Sequence, residues 1–414
     1  MRLLVVIDRY PPLHQGGDET ACYTFVEGLR RRGHDVQVLT SEFGLDKPRV
    51  DDGRIYRVLH RPWYNPRLLD QARFEIADHR SLQQRLAAFR PDLILSWAQT
   101  SLFGSLHVAL KEAGPPVVYF MGNIWIHWHI DQENQRVSVW ERPGSSIANR
   151  LTKPLVRRAV RLLNRRALRP LHASQIDLRH AVQCSAASLR RHHDAGFQGD
   201  DWTVIYNPVD TERFHPGPGR AVGAPLAVLF AGRLVVEKGP HTLVEAAARL
   251  GTSGDRDVRT TIVGERAYPV EYSDALKARV AELGLAPRVT FGDAASYEEM
   301  PDLLRRHQVL VFPSNIPEGF PMMLVEAMAC GLAVVGTTTG GSAEILKDGE
   351  NSLTFPPDDA DALARCLVRL RDDEPLRQRL AGAGQDWARR HCALDVVLDQ
   401  LETYLRHVME TRER

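Results

Sequence analysis

Glu318 and Glu326 bracket seven residues in EGFPMMLVE, shortly after the apolar run VLVF. Two carboxylates at that spacing, with Pro321 where a helix would begin, suit a ligand that is rich in hydroxyls and carries phosphate. Pro321 fits the first helical position, because its missing N–H would find no partner there anyway. Met322 and Met323 then offer free backbone N–H groups at the positive end of the helix, where phosphate or sugar oxygens are favoured. Glu318 falls in the loop before the helix and Glu326 more than one turn inside it, so the two can address opposite ends of one ligand. Taken alone, they read more simply as a solvated loop carboxylate and a surface helix carboxylate.

Other segments shift that balance. In LAVLFAGRLVVEKGP, Arg233 follows an apolar strand and Lys238 stands just before Gly239. Both cations can project from a loop at a strand's carboxyl end, where a diphosphate would receive charge-assisted hydrogen bonds of roughly 1.5–3 kcal/mol each. TTTGGSAEIL places Gly340 and Gly341 after the strand AVVG, with Glu344 in a helix starting near Ser342. That is either a second flexible turn lining the same site or a plain strand-to-helix turn. Near the N-terminus, DRYPPLHQGGDE puts Gly16 and Gly17 directly before a helix, where a ligand can approach the backbone closely. The alternative there is a glycine turn capped by Asp18. The segment lacks G-x-G-x-x-G, which disfavours a nicotinamide cofactor. Asp18 and Glu19 would repel a diphosphate seated squarely on that helix end, so the glycine pair is expected to brush the sugar or the acceptor.

These loops need rigid elements to hold them. Short apolar runs (LLVVI, VQVLT, RIYRV, LILSW, VVYFM, AVQC and TVIY, then LAVLFA, TTIV, RVTF, VLVF, AVVG and LTF) alternate with amphipathic helical segments throughout. Such alternation predicts parallel sheets covered by helices on both faces, with ligands at the carboxyl ends of the strands. The proline- and glycine-rich segment YNPVDTERFHPGPGRAVGAP breaks the pattern and reads as a linker. The expected organisation is a first α/β domain over 1–206, a hinge over 207–225, a second α/β domain over 226–390 and a helix over 391–414 that can cross back to the first. Two doubly wound sheets joined by a hinge would face each other across a cleft.

Composition narrows the class. The chain has 414 residues, 43% hydrophobic and 25% charged, as in soluble globular enzymes. A net charge of +1 argues against nucleic acid as the main partner. Five scattered cysteines show no metal-ligand spacing and read as reduced thiols of a cytoplasmic protein. The N-terminal apolar run is interrupted by Asp8, too short for a signal peptide or a membrane span.

The order of P-x-x-x-G-G near the start, VIYNPVD at the hinge, AGRLVVEKG, EGFPMMLVEAMACGLAVV and TTTGGSAEIL resembles the retaining glycosyltransferases of family 4, of GT-B architecture. The likeness covers nearly the whole chain and is strongest over 203–355. It implies a nucleotide-sugar donor held mainly by the second domain and a hydroxyl acceptor held mainly by the first. Arg233 and Lys238 would neutralise the departing diphosphate. Glu318, with the backbone of Phe320, Pro321 and Met322, would meet the donor sugar, and Glu326 would accept from the ribose hydroxyls. No cofactor and no metal are implied, since cationic side chains and a helix end take the metal's place. A sugar-nucleotide epimerase of the same architecture, or a catalytically silent, membrane-associated partner of another transferase, are the competing readings.

Relatives carry a His just after the strand matching VVYFM, whereas this chain has Gly122 and Asn123 there. His127 or His129 would have to replace it, and otherwise both belong to a surface loop or a partly buried pair. Asn123, Trp125, His127, Trp128 and His129 are the candidate acceptor contacts of this stretch, the indoles offering aromatic faces, or else core residues as Trp97 is expected to be. The segment 150–172 contains no acid and alternates Arg157, Arg158, Arg161, Arg165, Arg166 and Arg169 with Leu155, Val156, Val160, Leu162, Leu163 and Leu168. It reads either as a helix lying on an anionic membrane at the inner face, bringing the enzyme to a lipid-linked acceptor, or as an ordinary domain helix with its arginines in solvent.

Overall fold

Each apolar run forms or overlaps a strand, as expected of parallel strands buried on both faces of a sheet. In the computed structural model, which describes residues 1–13, 16–61, 68–122, 125–141, 154–155, 158–159, 162, 165, 170–218, 225–250, 258–265 and 270–412, the chain divides into two compact units. The first comprises Met1–Cys184, Ser188–Ile205 and Leu398–Arg414, and the second Ser185–Ala187 and Tyr206–Val397.

The first unit is built on β1 (Arg2–Ile7), β2 (Asp35–Ser41), β3 (Arg49–Asp51), β4 (Ile55–Leu59), β5 (Leu93–Ser96), β6 (Val117–Met121), β7 (His180–Gln183) and β8 (Asp201–Val204). Their order is β3-β4-β2-β1-β5-β6-β7-β8. All pairs are parallel except β3 with β4, an antiparallel edge that the sequence pattern did not suggest. Order reverses beside β1, between β2 and β5, which marks the carboxyl end of β1 as the crevice of this sheet. Arg57 on β4, 1% exposed, shapes the loop there. Its Nε donates to Asp51 Oδ2 at 2.7 Å, and its two terminal nitrogens donate to the carbonyls of Tyr10 at 2.8 Å and Pro11 at 2.6 Å.

The second unit holds β9 (Leu226–Ala231), β10 (Val258–Val263), β11 (Val289–Gly292), β12 (Val309–Phe312), β13 (Ala333–Gly336) and β14 (Leu353–Thr354), in the order β11-β10-β9-β12-β13-β14, every pair parallel. Its core joins Val228, Phe230, Ile262, Val309, Val311 and Val335 from the sheet to Leu243, Leu276, Leu363 and Leu380 from the surrounding helices. The switch point lies between β9 and β12, and the residues singled out above leave the carboxyl ends of those two strands.

The helix expected over 391–414 begins at Leu394, as Leu394–Arg412, and follows a separate helix, Glu374–Cys392. They break at Ala393, whose extended backbone (φ −55, ψ 136) pairs with Val209 of the linker segment. Val209 N–H donates to the Cys392 carbonyl at 2.7 Å, and Leu394 N–H donates to the Val209 carbonyl at 3.0 Å. From Leu398 onward the last helix belongs to the first unit.

Candidate functional site

Three loops of the second unit are locked together by close backbone approaches. After β9 the chain turns through a short 3-10 segment, Val236–Lys238, and Gly239 takes a left-handed φ of 68. A Cβ at Gly239 would overlap the carbonyl of Pro313, the residue that follows β12. Asn315 N–H donates to the Glu237 carbonyl at 3.0 Å, and Ser314 Oγ lies 3.2 Å from the same oxygen, so the two loops are held side by side. After β13, Thr337 Oγ1 donates to the Ser314 carbonyl at 2.5 Å. Gly340, with φ 65, pairs with Glu318, and Gly341 N–H donates to the Glu318 carbonyl at 2.8 Å. A side chain at Gly340 or Gly341 would overlap the carbonyl of Glu318 or Gly319. The second glycine pair is therefore structural in a definite sense: it lets the β13 loop press on the Glu318 segment.

This frame sets Lys238 against Glu318. Lys238 Nζ lies 2.5 Å from Oε1 and 2.6 Å from Oε2, and Ser314 Oγ donates to Oε1 at 2.8 Å. The two residues expected to serve different ends of a ligand thus hold each other directly. Arg233 is exposed, with no ion pair among the described residues. The helix of EGFPMMLVE spans Met322–Ala329. Pro321 is its N-cap, with φ −75 and ψ 105, so the helix starts one residue later than expected. The proline's extended backbone leaves Met322 to begin the helical hydrogen-bond pattern, and the amides of Met322 and Met323 are the first at its positive end. Phe320 is buried and stacks on Tyr206, with ring centroids 5.0 Å apart. Its side chain is a packing element, and only its backbone is available to a ligand.

Glu326 is 5% exposed. Burial pushes its carboxyl up to about 7, against the lowering effect of the Arg213 charge. Arg213, from the linker, lies over the Tyr297 ring at 4.4 Å, and its buried Nε has no hydrogen-bond partner among the described residues. No sequence signal marked it, because DTERFHPG has neither periodicity nor a glycine turn. Glu344 does more than a simple strand-to-helix turn requires. Its carboxylate accepts from the N–H groups of Ala186 at 3.1 Å and Ala187 at 2.7 Å, and from the Tyr206 hydroxyl at 3.2 Å. Burial, with the Glu344 charge added, pushes that hydroxyl up to about 12.

In the first unit Gly17 opens the helix Gly17–Arg31 and Gly16 is its N-cap, extended at φ −155, both exposed. Asp18 sits within the first turn and does not cap it. Its carboxylate lies over Gly122, where any Cβ would overlap Oδ1. No side chain, histidine included, fits at position 122 while Asp18 stays there. Asn123 lies outside the described residues. Trp125, Trp128, His127 and His129 lie on a helix, Trp125–Glu141, and not on a loop. Trp125 is 1% exposed and donates from Nε1 to the Phe120 carbonyl at 3.3 Å, which makes it core and no acceptor face. Trp97 stacks on Phe120 at 3.6 Å. Trp128 is 59% exposed. His127 is exposed and stands 3.5 Å from Asp131, whereas His129 is buried. Burial holds the His129 imidazole below its ordinary range, against the pull of the Glu133 carboxylate, and its Nε2 has no hydrogen-bond partner among the described residues.

Among the described residues no cluster of three or more His, Cys, Asp or Glu could hold a metal ion, and no helix is long and apolar enough to cross a membrane. Of the arginines and aliphatic residues named in the basic stretch, Leu155, Arg158, Leu162 and Arg165 are described and all four are exposed, whereas Leu171 near its end is buried. Arg157, Arg161, Arg166, Arg169, Val156, Val160, Leu163 and Leu168 lie outside the described residues.

Two α/β units, each with a sheet order that reverses, are the kind of architecture in which ligands bind outside the carboxyl ends of strands at the switch point. A family model of Glycosyltransferase Family 4 matches residues 15–213, and one of Glycosyl transferases group 1 matches residues 214–387. The chain belongs to glycosyltransferase family 4 of the GT-B fold class. It is 31% identical over 212 residues to D-inositol 3-phosphate glycosyltransferase of Corynebacterium glutamicum, covering 49% of this chain and 50% of that protein. The chain spans about half the length of the curated relatives it matches. Among solved structures it resembles Anabaena Alr3699/HepE, crystallised with UDP, at 20% identity and a TM-score of 0.69, covering 98% of this chain and 100% of that one. It also resembles a sucrose-phosphate synthase of Thermosynechococcus elongatus at 18% identity and a TM-score of 0.72, covering 99% and 100%. At such identities the likeness speaks to the fold.

Proposed function

We propose that the chain transfers a sugar from a nucleotide-sugar donor to a hydroxyl acceptor, with retention of anomeric configuration and without a metal ion. The observation that carries this reading is the set of groups on the β9 and β12 loops: Lys238, Glu318 and the helix end at Met322 and Met323, with Arg233 exposed on the β9 loop. Cleaving the anomeric C–O bond puts negative charge on the diphosphate and positive charge on the sugar ring. Lys238 and the helix end are fixed positive groups suited to the first, with the exposed Arg233 as a further cation, and Glu318 is a fixed acceptor for sugar hydroxyls. Groups set in place beforehand stabilise the separated charges more than the ground state, which is what accelerates the step. Glu326, deeper in the same helix, is the ribose acceptor in this reading. A diphosphate oxygen takes the acceptor's proton on the face that the leaving group vacates.

Alr3699/HepE was crystallised with UDP, so a UDP-sugar is the first donor to test. The name of the Corynebacterium relative makes a phosphorylated polyol the first acceptor. We assign the acceptor to the first unit, where Gly16, Gly17, His127 and Trp128 are exposed near strand carboxyl ends. The exposed Leu155 and Leu162, at 69% and 81%, support a peripheral contact between 150–172 and an anionic membrane. Sedimentation with phosphatidylserine vesicles, which should weaken as salt is raised, tests that contact.

The direct test is nucleotide release from UDP-sugars in the presence of an acceptor panel. Lys238→Met should lower kcat roughly 100- to 1,000-fold, as loss of a preorganised donor does. EDTA should leave the rate unchanged, and the product's anomeric centre read by NMR should match the donor's. Release that ignores both the acceptor and Lys238 would remove the reading.

A further inference from the structure

The Lys238–Glu318 pair is more than two binding residues that happen to touch. Both carboxylate oxygens lie within hydrogen-bond distance of one ammonium, and the side chains are only 21% and 14% exposed. Ser314 Oγ fixes Oε1 in that position, and the Ser314 carbonyl is itself held by Thr337. Gly239 and Gly340 let the loop backbones approach closely, which keeps the two side chains within reach of each other. A phosphate that takes Lys238 must therefore displace Glu318 and leave a half-buried carboxylate beside a second anion. That carboxylate regains hydrogen bonds only if the incoming molecule brings donors of its own, and sugar hydroxyls are such donors. A nucleoside diphosphate without its sugar brings none to that position, since its ribose hydroxyls are assigned to Glu326.

Resting on the donor site proposed above, we propose that Glu318 is a specificity-determining group that competes with diphosphate for Lys238. The pair makes the site prefer a nucleotide still carrying its sugar over the spent nucleoside diphosphate. Partner exchange then works in both directions. Loading is completed by the sugar's hydroxyls, and once the sugar has left, Glu318 returns to Lys238 and weakens the hold on the product.

The experiment measures dissociation constants by calorimetry for UDP, GDP and ADP and for the matching nucleotide-glucose compounds, on the full chain. Glu318→Gln keeps the shape and the Ser314 hydrogen bond but removes the competing charge. It should bind the preferred nucleoside diphosphate about tenfold more tightly and its sugar nucleotide no more tightly, so the ratio of the two constants collapses. In a Lys238→Met background the same substitution should give little or no tightening. If the gain persists there at full size, Glu318 acts by plain repulsion and the exchange is refuted. Unchanged or weaker diphosphate binding by Glu318→Gln refutes it as well. Should Glu318→Gln not fold, Glu318→Asp, one methylene shorter and loosened from Lys238, must shift the ratio in the same direction or the proposal is lost. If the wild-type protein binds none of the nucleotides, the donor-site reading itself fails, an outcome separate from the others.

Discussion

Glu326 shows how one buried carboxyl sets a pH response. In the folded chain its carboxyl is pushed up to about 7 by burial, so it keeps its proton where the unfolded chain has already lost it. The unfolded state therefore binds fewer protons between the ordinary glutamate range and about pH 7, and stability contributed by this group falls as pH rises through that window. Below the window there is no penalty. Above it the penalty is complete, on the order of 3 kcal/mol. Glu326→Gln mimics the protonated form, so thermal melts of variant and parent should coincide near pH 4 and separate in the variant's favour by pH 7.5. Equal melting differences at both ends would show that Glu326 is hydrated in the folded protein. Above about pH 7, where the parent carboxyl is ionised, nucleotide affinity should fall in the same variant, since the proposed ribose acceptor has lost its negative charge.

The loops around the donor site depend on turns that only glycine makes without strain. Gly239 combines a left-handed φ of 68 with contact against the Pro313 carbonyl. Gly239→Ala should cost roughly 1–3 kcal/mol in urea unfolding and displace the Lys238 turn, lowering activity beyond the loss of stability. Gly33→Ala is the control: its φ is 85 but nothing lies within 4 Å of a new Cβ, so only the backbone term is lost and activity should be untouched. Elements of this kind were legible in part. Strand runs such as LAVLFA and AVVG announce themselves because a buried parallel strand is apolar on both faces. The helix Trp125–Glu141 did not, since WIHWHIDQENQRV mixes indole and imidazole rings with charges and shows no clean apolar stripe. β3 was missed because its three residues are short and largely exposed, and its pairing with β4 is held by Arg57 and Asp51, six positions apart in sequence. Glu318 and Lys238 were each visible as candidate chemistry. Their ion pair spans 80 positions, and it exists only because Gly239 and Gly340 let three loops meet. Arg213 stayed hidden for a like reason: its role comes from facing Tyr297 and Glu326, neither of which is near it in the chain.

Seen whole, the first unit is discontinuous in sequence. The helix Leu394–Arg412 leaves the second unit at Leu398 and then packs in the first. Arg32 pairs with Asp399 at 2.6 Å, His34 with Glu402 at 2.9 Å, and the Tyr404 hydroxyl donates to the Asp201 carbonyl at 2.6 Å, while Leu398, Leu401, Leu405 and Val408 are buried. Four such aliphatic side chains contribute on the order of 1.5–3 kcal/mol each. Removing 398–414 should therefore lower the melting transition of the first unit well before that of the second, which calorimetry can resolve as a split endotherm. A single unshifted transition would show that the helix is dispensable. The same topology has a temporal meaning during synthesis. A growing polypeptide ordinarily completes its leading domain while the ribosome is still translating the next. Here the amino-terminal sheet stays partly uncovered until the other domain has been synthesised and the helix Leu394–Arg412 has emerged to pack on it.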